Sequence, residues 1–393
     1  MKEEEGIVTS IGHPKRPGFL AAVALCAALA AAGARAQTIE TMGRQAIMID
    51  VTTGSVLLDK NADEPMPPAS MSKLMTIYMV FERLKAGRLS VDDKFQVSER
   101  AWRMGGSKMF VMVDTRVSVQ DLLRGIIVQS GNDACVVVAE GLSGSEEAFA
   151  EAMTRRAKEI GLTNSSFKNA TGWPADGHYM SARDIATLSR KLIEQFPEYY
   201  PIFAETTFTY NKIKQGNRNP LLYKQFGADG LKTGHTEASG FGLAASVVRN
   251  GRRLILVVNG LGSMRERSSE TARLLDWGFR ETESYALFKK GDRVDQADVW
   301  LGVAPAVPLV VDQGLTVTLP RRARRDMKVK LSYTNPINAP VVKGAPVGRV
   351  VVSVPGRADM ELPVVAGDTV ERLGLFGRLN AAIQYLLWGK SES

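Results

Sequence analysis

The sequence predicts an α+β unit, built on an antiparallel sheet that carries a long helical insertion, then a smaller all-β sandwich-like unit and a C-terminal amphipathic helix. Three observations predict it. Apolar hairpin signals lie near residues 50 and 250, and apolar residues at helical spacing dominate between them. Beyond about residue 284 the texture changes to short alternating strands broken by Pro and Gly. The chain has 393 residues, more than one compact core usually takes, so more than one domain is the default.

Residues 1–36 read as an export signal: Lys15 and Arg16, the apolar run FLAAVALCAALAAAG, then Ala34-Arg35-Ala36 before Gln37. The rival reading is a membrane span, but the run is about 15 residues long against the roughly 20 a span needs. Cys26 follows Leu25, where a lipidation site would want a small residue. The stretch AIMIDVTTGSVLLDK then sets two apolar runs around Thr52-Thr53-Gly54, a hairpin signal. Residues 70–86 carry Met71, Leu74, Met75, Tyr78 and Met79 at helical spacing, with prolines before and Gly87 after. Later, FGLAASVV and RLILVVNG flank Asn250-Gly251, a strong two-residue turn signal. LTVTL, MKVKLSY and GRVVVSV read as strands of the second unit, and Glu371 to Trp388 as a helix. The expected boundaries are therefore 1–36 signal, 37–283 first domain, 284–370 β domain and 371–393 helix.

Composition narrows the chemistry. The formal net charge is +8, mildly basic, and no nucleic-acid partner is read from it. After cleavage of the signal only Cys135 remains, so no intramolecular disulfide can form, and the remaining histidines, His178 and His235, leave no cluster for a zinc site. No cofactor is expected.

The stretch PPASMSKLMT puts Ser70 at the mouth of a helix and Lys73 one turn later. A spacing of three places both on one helical face, about 5 to 6 Å apart at Cβ. A helix N-terminus favours an alkoxide and disfavours an ammonium, so a desolvated Lys73 beside a second cation is expected to be largely neutral and able to take the serine's proton. By itself S-x-x-K also reads as an N-cap followed by an exposed lysine. Two further strings change the balance. VQSGNDACVVVAEGL sets Ser130-Gly131-Asn132 before an apolar helical run, where a cap and turn is the plain reading. DGLKTGHTEASGFG sets Lys232-Thr233-Gly234 on a strand, where an edge protected by lysine is the plain reading. In this order S-x-x-K, S-x-N and K-T-G form the set of the penicillin-binding proteins and the related β-lactamases.

With PASMSKLMT, SGNDAC, NRN at 217–219, GLKTGHT and LLDWGFR, the sequence resembles the D-alanyl-D-alanine carboxypeptidases, low-molecular-mass penicillin-binding proteins of the serine DD-peptidase family, from about Thr41 onward. The resemblance implies a β-lactamase/DD-peptidase-like catalytic domain. It implies Ser70 as acylated nucleophile, Lys73 as its base, and Ser130 as proton relay to the leaving D-alanine. Asn132 would hold the peptide amide, Lys232 and Thr233 would bind the terminal carboxylate, and the backbone N–H groups of Ser70 and His235 would receive the oxyanion. Arg218 and Arg267 are secondary candidates for the carboxylate pocket, weighed against plain surface or structural arginines. Cys135 reads as a small core residue, with a thiol-sensitive site left open, and His178 as a loop residue. No E-x-x-L-N string occurs between Asn132 and Lys232, which disfavours a fast β-lactamase.

In the tail, Leu375, Phe376, Leu379, Ala382, Ile383, Leu386 and Leu387 fall on one helical face. Too short and polar to span, it reads as an interfacial anchor, against the alternative of docking on its own domain or a dimer partner. RRARR, Arg321 to Arg325, reads either as added attraction to anionic lipid or as a solvated loop. The expected protein is exported and peripheral on the periplasmic face of the inner membrane. It would act on peptidoglycan pentapeptide and take β-lactam antibiotics as covalent inhibitors. An endopeptidase of the same mechanism, a β-lactamase and a non-catalytic wall-binding scaffold are the alternatives.

Overall fold

A computed structural model describes residues 39–355 and 358–388. The signal read at 1–36, with Cys26, and the last five residues of the tail lie outside the described residues. The chain forms two compact units, Ile39–Glu281 and a second beginning at Thr282.

The first unit is built on five antiparallel strands in the spatial order Val56–Lys60, Gln45–Asp50, Arg252–Leu261, Gly240–Arg249, Ala228–Thr236. Both hairpins stand where the sequence placed them. Asn250 and Gly251 have φ of 50° and 77°, the pair of left-handed conformations that a tight two-residue connection between twisted strands requires. Side chains alternate across the sheet, and both faces are covered. Ile47, Ala244, Ile255 and Val257 join the helical core, while Ala46, Met48, Leu254, Leu256 and Val258 meet Leu274 and Leu275 of the helix Met264–Glu281. Burying one such aliphatic side chain is worth about 1.5–3 kcal/mol, so a one-residue register slip would exchange two filled cores at once.

On the helical side, Lys73–Lys85 is buried almost all round, from Leu74 to Phe81. It is surrounded by Val119–Ile127, Asn132–Ser143, Glu146–Glu159 and Ala182–Gln195. Three of these helices start on a serine whose hydroxyl accepts a backbone N–H: Ser118 from Asp121, Ser145 from Ala148 and Ser181 from Asp184. Each such cap contributes about 1 kcal/mol. The helix expected over 70–86 divides in two, a 3-10 turn Ala69–Ser72 and the α-helix Lys73–Lys85. The cause lies upstream, where Pro68 leads into Ala69 at φ 47°, so the chain enters by a tight turn.

The second unit holds a six-stranded sheet, in the order Lys328–Tyr333, Pro346–Ser353, Met360–Ala366, Ala306–Val311, Arg293–Trp300, Ile337–Asn338, and a two-stranded sheet of Thr282–Phe288 with Leu315–Pro320. Leu287, Leu315, Met327 and Met360 pack against both of its apolar clusters. The tail helix runs Leu375–Trp388, starting later than the sequence suggested. Arg372 bridges Gly302, and the Leu373 N–H donates to the Leu301 carbonyl at 2.9 Å, which holds the chain extended up to that point. Leu375, Phe376, Leu379 and Ile383 lie exposed.

Candidate active site

The three strings converge in the first unit. Ser70 sits in the 3-10 turn and Lys73, with no exposed surface, opens the α-helix. Lys73 Nζ donates to Ser70 Oγ at 2.9 Å, to Asn132 Oδ1 at 2.7 Å and to the Thr171 carbonyl at 2.5 Å. Three acceptors match the three protons of an ammonium, and a neutral amine there would turn its lone pair on one of them. From the opposite wall, buried Lys232 donates to Ser130 Oγ at 2.9 Å and to its neighbour's carbonyl, Thr233 O, at 3.3 Å. The strand Ala228–Thr236 that carries it is the edge of the sheet. Gly234 lets that strand approach the serine's turn, since a Cβ there would stand 2.9 Å from the Pro68 carbonyl.

Local sequence holds each group in place. Ser130 has φ 62°, a conformation that costs a residue with a Cβ roughly 1–2 kcal/mol. The bonds around it hold that conformation. Gly131 N–H donates to the Gly125 carbonyl, Asn132 N–H to the Ser107 carbonyl, and the Asp133 carboxylate accepts from the N–H groups of Met109, Phe110 and Val111. Asn132 Nδ2 donates to the Gly105 carbonyl, which fixes the amide's orientation. Asn169 Oδ1 accepts from the N–H groups of Thr171, Gly172 and Trp173 and so presents the Thr171 carbonyl to Lys73. Gly172 has φ 79°, and a Cβ on it would fall 1.9 Å from the Ala69 carbonyl oxygen. Trp173, half-exposed, lays its ring beside Gly105 and Gly106.

Burial pushes the Lys73 ammonium down to about 8, with the positive charge of Arg218 acting in the same direction. About a tenth of Lys73 is then neutral at pH 7 and half at pH 8, less than the largely neutral amine expected from the sequence. The main cause is desolvation rather than a second cation. Lys232 is lowered well below the usual lysine range, by burial first and then by the charge of Lys73. Cys135 is a fully buried core residue whose thiol burial pushes up to about 12, so it stays protonated.

Around Lys232 lie Thr233, which is buried, and the arginines. Arg218 Nη1 donates to Ser107 Oγ at 2.6 Å, at the surface. Arg267 is buried at 7% exposure, its guanidinium 5.8 Å from the Phe241 ring and its Nε without a partner among the described residues. His235 is exposed and stacks on the same Phe241 at 3.9 Å. His178 is a buried loop residue whose Nδ1 accepts from the Lys168 N–H at 3.3 Å; burial, then the charges of Lys73 and Lys168, lower it to about 4. Thr171, Ser107 and Trp173 carry no signal in the sequence that marks them as part of a site. Only the Asn169-x-Thr-Gly turn chemistry could have pointed to the first.

Residues 31–262 match the family described as D-alanyl-D-alanine carboxypeptidase, and residues 283–372 match the family described as penicillin-binding protein 5, C-terminal domain. A curated relative from Escherichia coli, D-alanyl-D-alanine carboxypeptidase DacC, is 39% identical over 354 residues, covering 87% of this chain and 88% of its own. The crystal structure of penicillin-binding protein 5 from Haemophilus influenzae is 35% identical with a TM-score of 0.74, over 86% of this chain and 100% of that one. An ampicillin-bound penicillin-binding protein D2 from Listeria monocytogenes is 31% identical with a TM-score of 0.57, over 62% of this chain and 99% of that one.

Proposed function

The chain belongs to the D-alanyl-D-alanine carboxypeptidase family of serine peptidases, and from that premise we propose that Ser70 removes the terminal D-alanine of peptidoglycan pentapeptide through an acyl-enzyme. The observation that carries this is the Lys73 Nζ contact with Ser70 Oγ at 2.9 Å, in a site where Lys73 is lowered to about 8. Neutral Lys73 takes the Ser70 proton as Oγ attacks the carbonyl carbon of the penultimate D-alanine. The backbone N–H groups of Ser70 and His235 receive the negative oxygen. Ser130 passes its proton to the departing amine nitrogen and takes up the one Lys73 holds, the C–N bond breaks, and D-alanine leaves. Water then cleaves the ester, one proton goes to Ser70 Oγ, and the shortened peptide departs. Asn132 holds the peptide amide. Lys232, Thr233 and Arg218 receive the terminal carboxylate, with Gly234 keeping the strand close. The carboxylate's charge restores that of Lys232, which burial otherwise disfavours.

A penicillin presents its carboxylate to the same groups and a strained carbonyl to Ser70. Its leaving nitrogen stays tethered, so the ester persists. The ampicillin-bound relative supports this reading. The protein would work at the periplasmic face of the inner membrane, held there by its tail helix. The exposed Leu375, Phe376, Leu379 and Ile383 support this, while no helix among the described residues is long and apolar enough to cross a membrane.

The test has two parts. Labelled penicillin should stay on the peptide containing Ser70 and be absent from Ser70→Ala, whereas rapid turnover of the drug would favour a β-lactamase and a folded protein without label a scaffold. Monomeric pentapeptide and cross-linked dimer, with products identified by mass, then separate carboxypeptidase from endopeptidase.

A further inference from the structure

By sequence the arginine run fits either a lipid-binding addition to the tail or a solvated loop, and the register of the second unit bears on that choice. Arg321, Arg322, Arg324, Arg325, Lys328 and Lys330 are all exposed. Arg321 pairs with Glu283 at 3.0 Å and Arg324 lies 4.5 Å over the Tyr285 ring, but Arg322, Arg324 and Arg325 have no ion pair with a described residue. Asp326 is the one acid within the run. Six cations on one turn and the start of one edge strand make a local positive field with little internal compensation.

The sheet sets this patch apart from the tail. Lys328 pairs with Ser353, and the next strand pair sets Val352 opposite Met360, so the patch borders the Met360 end of the sheet. The strand Met360–Ala366 then runs away from it, and Ala366 pairs with Leu309. The chain reaches the tail helix at the far end, where Arg372 bridges Gly302 and Leu373 bonds Leu301. At about 3.3 Å per residue, Met360 to Ala366 covers roughly 20 Å, and the continuation from Leu309 to the level of Ala306 adds roughly 10 Å. The Debye length at physiological ionic strength is about 8 Å, so these arginines do not act on the lipid immediately around the base of the tail, and the patch stands as a surface separate from it.

We propose that the patch formed by Arg322, Arg324 and Arg325 with Lys328 and Lys330 binds the carboxylate-bearing peptide stems of peptidoglycan. It would hold the polymer near the enzyme without taking part in the chemistry. The choice of polymer rests on the carboxypeptidase reading, because a polymer whose stems end in carboxylates is the anionic material that reading brings to the protein. The guanidinium fork matches a carboxylate in two hydrogen bonds, which suits arginine rather than lysine at the centre of the patch.

The test compares the full chain with Arg322→Glu/Arg324→Glu/Arg325→Glu and with the milder Arg322→Gln/Arg324→Gln/Arg325→Gln. Each protein is pelleted with purified peptidoglycan sacculi at low and high salt and floated with phosphatidylglycerol vesicles. Expected is a roughly fivefold weaker sacculus binding for the glutamate variant, a smaller loss for the glutamine variant, and a wild-type affinity that falls with salt. Vesicle binding and covalent labelling by penicillin stay unchanged, the latter showing that the variants are folded. Lost vesicle binding with intact sacculus binding would overturn the proposal in favour of lipid. No change in either would leave a solvated loop and overturn it as well. Absence of the Ser70 label in the wild type would defeat the catalytic reading separately, since the sacculus comparison does not depend on turnover.

Discussion

If Lys73 is the base, the rate of acylation must follow its neutral fraction, and the structure sets the midpoint. With Lys73 at about 8, the neutral fraction is about 9% at pH 7, half at pH 8 and about 90% at pH 9. The sign follows from the chemistry: the ammonium cannot accept a proton, so activity is lost as pH falls through 8. The second-order rate of labelling by a fluorescent penicillin, whose own carboxylate stays ionised over this range, should rise about tenfold from pH 7 to pH 9. Removing a depressing charge provides the control. Arg218→Gln should move the midpoint upward, because Arg218 is one of the causes that lower Lys73. The position of the midpoint is read rather than the absolute rate, so a weaker grip on the drug does not confuse the result. Lys73→Arg keeps a cation in place and should leave little labelling at any pH in the range, since guanidinium stays protonated. A flat profile between pH 6 and 9, or near wild-type labelling by Lys73→Arg, would refute Lys73 as the base.

Three further outcomes are expected. Gly172→Ala puts a methyl 1.9 Å from the Ala69 carbonyl in a left-handed conformation, so denaturant titration should show a loss of about 3 kcal/mol together with slower acylation; full stability would mean that the turn can move freely. His178 is lowered from 6.5 to about 4 in the folded state, so the stability it contributes is complete above pH 6.5 and is lost as pH falls through 4. His178→Gln should therefore weaken the decline in stability over that window by up to roughly 3 kcal/mol, and identical pH–stability curves would refute this. Deleting the chain from Glu371 onward should move the exported protein from the membrane to the soluble fraction with penicillin labelling unchanged, and continued membrane association would remove the tail as anchor.

The candidate site was legible because its residues are carried by three short strings, each read locally, whose order is itself informative. The hairpins were legible for the same reason, as Asn250-Gly251 and Thr53-Gly54 announce turns by their own conformational preferences. What stayed hidden depends on backbone atoms or on burial. The third partner of Lys73 is the carbonyl of Thr171, 98 positions away, and a carbonyl has no residue type to betray it. Ser107, which Arg218 bonds across 111 positions, is one serine among many. Arg267 reads as a surface arginine until the fold buries it beneath Phe241. The 3-10 turn is not legible because apolar spacing reports the face of a helix and not how tightly its first turn is wound.

The order of strands in the first sheet also decides when this unit can fold. Gln45–Asp50 is made early, yet its inner neighbour is Arg252–Leu261, and the buried Asp50 waits for Arg252, 202 positions later. Until the ribosome has passed that point, the first hairpin has an open edge and apolar side chains with nothing to cover them. A nascent chain in that condition presents an unpaired edge and apolar surface, the features that favour aggregation. For a protein proposed to be exported, the consequence is that the segment that locks the domain shut is among the last of the unit to be synthesised.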